Sequence, residues 1–155
     1  MRFVEPAGLG AALPEIAAAR ECVVACGAGA MEGDDVAALL LSDYAILEEG
    51  TSLRISSAAA WAGAVWRIGS AALRLLAQPR VTASDAVRLG LCDEVGDSAA
   101  WLGVRSAEAM DAAAVLISRR GGDPLERAEF ARLFATGTPR EGLAAFLEKR
   151  RPRFS

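Results

Sequence analysis

Histidine is absent from all 155 residues, and that absence removes several chemistries at once. Neither a Ser-His nor a Cys-His nucleophile pair can be assembled, and a zinc site built on imidazole is excluded. Cysteine is scarce: Cys22, Cys26 and Cys92 form no CxxC pair, and their odd number does not suggest a disulfide framework. An excess of positive charge is missing too. The formal net charge of -3 argues against bulk attraction to nucleic acid, which needs a clustered cationic face. The apolar run 36–41 is far shorter than the roughly 20 residues of a membrane helix, and Asp43 closes it. The beginning of the chain, with Arg2, Glu5 and Pro6, has no compact apolar run of the kind a secretory signal requires. A cytoplasmic protein with no nucleic-acid or membrane partner is the expectation.

What is present is apolar. With 53% hydrophobic and 24% charged residues, the chain has the composition of one globular domain with a sizeable core. Residues 21–26 read as a short buried strand running into the glycine-rich turn Gly27-Ala28-Gly29-Ala30-Met31-Glu32-Gly33. A helix follows, because Asp34 and Asp35 suit the exposed N–H groups and dipole of a first turn. Residues 43–47 and 51–55 read as further strands, and 57–66 and 70–77 as helix stopped by Pro79. Thr82-Ala83-Ser84-Asp85 has the form of a capping box, opening a short helix that ends at Gly90. A last strand is predicted over 91–95, then helices over 99–119, 124–135 and 139–150. Trp61, Trp66 and Trp101 are read as core or interface anchors, and Cys26 as a small buried hydrophobe.

Two segments carry a family resemblance. Val81 to Val95, with Thr82-Ala-Ser-Asp-Ala-Val-Arg-Leu-Gly-Leu-Cys-Asp-Glu-Val95, is similar to I-S-A-x-E-A-x-x-x-G-L-V-x-x-V of the crotonase (enoyl-CoA hydratase/isomerase) superfamily. Arg140-Glu141-Gly142 through Phe154 resembles that family's R-E-G-x-x-A-F-x-E-K-R-x-P-x-F. Gly29 to Asp43 aligns without gaps to N-G-x-A-x-G-G-G-x-E-L-A-L-A-C-D, so that Gly29 and Gly33 match family glycines. The resemblance implies an α/β fold, a ClpP/crotonase-like spiral of β-β-α units with a C-terminal helical oligomerisation region. Residues 1–96 would form a shortened core and 97–155 the helical region of the same domain. Trimers, or hexamers as dimers of trimers, are implied as the assembly, an acyl-CoA as the ligand, and no cofactor beyond the coenzyme A of a substrate.

The implied site is an oxyanion hole, in which two backbone N–H groups stabilise the oxygen of a thioester. Asp34 occupies the middle position of G-G-G and supplies one N–H; its side chain must point away to avoid repelling an oxyanion. Ala7-Gly8-Leu9-Gly10 is similar to the family's A-G-x-D and nominates the Leu9 N–H as the second donor. Gly29, Gly33 and Lys149 are the implied substrate-binding positions, Lys149 through coenzyme A phosphates. The two hydratase glutamates align with Ala37 and near Ser57, neither of which is an acid, so hydration by the usual pair is not expected. The resemblance then leaves an acyl-CoA lyase, isomerase or hydrolase, or a catalytically silent structural or regulatory subunit. A nucleotide-binding reading of Gly27-x-Gly29-x-x-x-Gly33 is the weaker alternative, because the third-glycine spacing is missed, no acid stands about 20 residues on to hold a ribose and the nearby acids oppose a pyrophosphate.

Overall fold

The computed structural model describes residues 1–19, 21–78, 80–119 and 123–154. They form two compact units, an α/β unit of residues 2–19 and 23–98 and a helical unit of residues 99–154 with Met1 and residues 21–22.

In chain order the α/β unit contains β1 (Arg2–Val4), a 3-10 turn (Gly10–Ala12), α1 (Leu13–Ala18), β2 (Val23–Gly27) and β3 (Ala30–Glu32). It continues with α2 (Asp34–Leu41), β4 (Tyr44–Leu47), β5 (Ser52–Arg54), α3 (Ala58–Ile68), a second 3-10 segment (Gly69–Leu76), β6 (Arg80–Thr82), α4 (Ala83–Leu89) and β7 (Glu94–Val95). β1, β2, β4 and β7 make a parallel sheet in that order, and β3, β5 and β6 make a second sheet. Two consecutive strand-strand-helix units, β2-β3-α2 and β4-β5-α3, thus place their first strand in one sheet and their second in the other. β2 is buried at every position, as a parallel strand covered on both faces must be.

α2 is the centre of this unit. Val36, Ala37, Ala38, Leu39 and Leu40 are all fully buried, and α3 crosses close beside them. A Cβ on Gly63 would stand 2.7 Å from the Leu40 Cβ, so only glycine permits that approach. The closeness lets Arg67, at the end of α3, reach under α2. Its Nε donates to Leu40 O at 2.9 Å, Nη2 to Ser42 O at 2.8 Å and Nη1 to Asp93 Oδ2 at 3.0 Å. Asp43 and Asp93, each just before a strand, accept an N–H from the start of the neighbouring strand, that of Val23, the first residue of β2, at 2.8 Å and that of Ala45, the second residue of β4, at 2.7 Å.

The helical unit holds α5 (Ser98–Leu102) from its second residue on, α6 (Ala107–Arg119), α7 (Asp123–Phe134) and α8 (Thr138–Leu147). The amino terminus of Met1 pairs with Asp111 Oδ2 at 2.6 Å, while Asp111 Oδ1 accepts Cys22 N–H at 3.1 Å. Arg150 grips Glu141 with two nitrogens, at 2.6 and 3.0 Å. That grip, helped by the Arg153 N–H, holds the Glu141 carboxyl down at about 2.

Several expectations change. The segment read as a bare glycine-rich turn contains β3, whose three residues are too few to show a period. The stretch after Gly69 is 3-10 rather than α, because Gly69 leaves helical space at φ 57 and the chain resumes with Ala72 and Leu75 buried three apart. The stop expected at Pro79 lies outside the described residues. Residues 91–92 finish the α4 cap, with Leu91 N–H returning to Ala86 O at 2.9 Å, so β7 starts only at Glu94. The single helix over 99–119 is broken into α5 and α6, the second capped by Ser106 Oγ accepting from Ala109 N–H. β1 and α1 had no sequence forecast. Trp66 is 65% exposed and so is no core anchor of this chain.

Two outcomes are expected. Arg67→Ala should lower the unfolding free energy by about 3 kcal/mol in urea titration, since it strands two carbonyls and a carboxylate. Glu141, held below its unfolded value, contributes stability that is complete above its unfolded pKa near 4.5 and fades as pH falls toward 2. Glu141→Gln should flatten that acid limb of the helical unit's melting temperature.

Candidate functional site

β2 ends at Gly27, which is packed so tightly that a Cβ would stand 2.5 Å from Met31 Sδ. The chain then turns through Gly29, whose carbonyl accepts Ser52 N–H at 2.9 Å, forms β3 and reaches Gly33. Gly33 opens α2 at φ 60 and ψ -129, a conformation L side chains avoid. Its own N–H donates to Ser56 Oγ at 3.1 Å. Among the described residues no acceptor engages the Asp34 N–H, as the first turn of a helix leaves its donors unpaired. The side chains of Asp34 and Asp35 are exposed.

The segment Ala7-Gly8-Leu9-Gly10 lies directly against this helix start. Gly10 N–H donates to Asp35 Oδ1 at 2.7 Å. A Cβ on Gly10 would stand 3.1 Å from Asp35 N and 3.2 Å from the Asp34 carbonyl carbon. Leu9 is fully buried, backbone included, and its N–H makes one 3.4 Å contact to Pro6 O, at the weak end of hydrogen bonding. Leu9, Gly29, Gly33 and Asp34 therefore all belong to one unit, with the Leu9 and Asp34 segments in contact. Lys149 belongs to the helical unit, where it is exposed.

Lys149 follows the end of α8 with φ 53. Its N–H goes to Phe146 O and that of Arg150 to Ala145 O, a Schellman cap in which the left-handed place is normally glycine's. The two positions aligned with hydratase glutamates are committed to structure. Ala37 is fully buried, and Ser57 Oγ accepts from Ala60 N–H at 3.1 Å as the cap of α3. Glu32 and Arg54 sit side by side on β3 and β5 as an exposed pair at 3.6 Å.

Neither cysteine of the parallel sheet's surroundings is suited to nucleophilic work. Burial pushes the Cys26 thiol up, against a hydrogen bond with Ser98 and in the same sense as the Glu48, Asp97 and Glu5 carboxylates. Burial pushes Cys92 up to about 12, although Arg67 opposes it. Among the described residues no three His, Cys, Asp or Glu side chains are arranged to hold a metal ion, and no helix is long and apolar enough to cross a membrane.

The Gly10–Asp35 contact was not anticipated from sequence, since its partners are 25 positions apart. The Ser56 bond to Gly33 likewise has no local signal.

No protein-family profile matches this chain, and no curated protein matches it. Solved structures do. An enoyl-CoA hydratase/isomerase from Marinobacter aquaeolei is 24% identical with a TM-score of 0.61, covering 95% of this chain and 66% of its own. A putative enoyl-CoA hydratase/isomerase family protein from Hyphomonas neptunium is 24% identical with a TM-score of 0.64, over 93% of this chain and 64% of its own. DspI of Pseudomonas aeruginosa is 28% identical with a TM-score of 0.61, over 95% and 66%. The chain has the mixed α/β fold of the enoyl-CoA hydratase/isomerase proteins, the crotonase fold its sequence resembles, and spans about two thirds of their length.

Buried and held as thiols, Cys26 and Cys92 should resist iodoacetamide at pH 8 in the folded protein and react fully once it is unfolded, as counted by intact mass.

Proposed function

We propose, from the enoyl-CoA hydratase/isomerase fold and the geometry at the start of α2, that this chain binds an acyl-CoA thioester through a degenerate oxyanion hole. The Asp34 N–H is the first donor and the Leu9 N–H the second, with Gly29 and Gly33 shaping the approach. The observation that carries this reading is the close packing of Gly10 on the Asp34-Asp35 backbone, which keeps the two donor segments adjacent. Two backbone dipoles at a helix start suit a thioester oxygen, and the exposed Asp34 side chain leaves its own N–H uncovered. The full reading includes the β-β-α spiral and the C-terminal oligomerisation region.

Lys149 fits the role of a coenzyme A phosphate contact. A lysine in left-handed conformation costs about 1 kcal/mol relative to glycine, and a useful ammonium group accounts for keeping it there. No cofactor is required beyond the coenzyme A of the substrate. Any turnover would be of the lyase, isomerase or hydrolase kind, without the hydratase glutamate pair. Homo-oligomerisation, as trimer or hexamer, is supported by Ile117, Phe130, Phe134 and Phe146, each more than 60% exposed.

A silent structural or regulatory subunit is the second reading, favoured by the buried Ala37 and the helix-capping Ser57. Titration calorimetry and turnover assays with a panel of short, medium and long acyl-CoAs separate the two. Saturable binding is expected, and Lys149→Gly should weaken it about fivefold while raising the melting temperature. Absence of binding by every acyl-CoA would overturn the thioester reading and leave the silent subunit.

A further inference from the structure

We infer that Asp35 is a positioning residue, whose carboxylate clips the Leu9 segment to the start of α2, and that Gly10 and Asp35 form a compensated pair. The inference rests on the thioester reading above for its functional meaning and on geometry alone for the clip.

The sequence departs from the patterns A-G-x-D and G-G-G at two places that seem unrelated: Gly10 stands where the first ends in an acid, and Asp35 where the second ends in glycine. In the structure these two positions touch, Gly10 N–H donating to Asp35 Oδ1 at 2.7 Å. The space between them admits one side chain. A Cβ added to Gly10 would stand 2.8 Å from Asp35 Oδ1 and 3.1 Å from Asp35 N, the latter a backbone atom that cannot swing aside. A carboxylate arriving from position 35 therefore requires a bare backbone at position 10. The acid missing at 10 is supplied from across the contact.

Helix-start acids ordinarily serve the dipole and amides of their own first turn. Asp35 instead spends its Oδ1 on an amide 25 positions earlier. Gly10 lies one residue beyond the proposed Leu9 donor and Asp35 one beyond the proposed Asp34 donor, so this single bond ties together both strands of the hole. It also leaves a negative charge beside a place meant for an oxygen that gains charge.

Asp35→Asn and Asp35→Ala separate these effects, because asparagine keeps an acceptor oxygen and drops the charge. Amide exchange of Leu9 and Gly10, followed by NMR without ligand, should speed up at least tenfold in Asp35→Ala and much less in Asp35→Asn. In calorimetry Asp35→Ala should weaken acyl-CoA binding about tenfold, whereas Asp35→Asn should tighten it a few fold. Equal exchange in both variants and wild type, or equal loss of binding in both, would overturn the positioning role, since a dipole-serving acid loses as much with asparagine as with alanine. The predicted exchange pattern with no acyl-CoA binding in the wild type would overturn the thioester reading and reduce Asp35 to a structural clip.

Discussion

The fold of the α/β unit turns on what Arg67 does to the far end of α2. That helix is buried from Val36 to Leu40, so the carbonyls its last turn leaves unpaired have little water to turn to. Arg67 brings three donors to them and to Asp93 from a side chain only 7% exposed. Each carbonyl left bare would cost about 1 to 3 kcal/mol, a large share of a small domain's stability. Gly63 is part of the same device, because a methyl group there would push α3 and its arginine away from Leu40. The other end of α2 is where Asp34 and Asp35 meet Gly10.

The same logic repeats along the parallel sheet. Asp43 and Asp93 take an amide within the first two residues of the strand beside them, so each strand is entered in a defined register. This explains why an acid heads both segments in the sequence. The sign of the charge matters less than having an acceptor with two lone-pair sites, one of which at Asp93 is shared with Arg67.

How far the sequence disclosed this can be judged residue by residue. Local devices were legible: Thr82 accepts Asp85 N–H as the capping box implied, and Asp34 opens a helix after a glycine turn. Between β2 and α4 the forecast elements β2, α2, β4, β5, α3 and α4 are present, while β3 and β6 had no forecast. Features depending on distant partners were not legible. Nothing near Gly10 announces Asp35, and nothing near Arg67 announces Ser42. β1 and β3 have three residues each, too short for any period, and owe their existence to the strands they pair with. Lys149 was read for its charge, while its left-handed backbone needed coordinates to be seen.

The electrostatics at the start of α2 bear on whether a bound thioester would react. The helix dipole and two backbone amides favour negative charge there, whereas Asp34 and Asp35 oppose it. Asp34 projects into water and is screened; Asp35 is held by the Gly10 N–H. A neutral carbonyl feels this opposition weakly, but an oxyanion feels it in proportion to its full charge. On the thioester reading, the acids therefore penalise the transition state more than the bound ground state, the reverse of what acceleration demands. On the same reading, Ala37 and Ser57 leave the hydratase proton-transfer pair unfilled. On that reading both changes act in one direction, toward a site that would hold an acyl-CoA better than it would transform one.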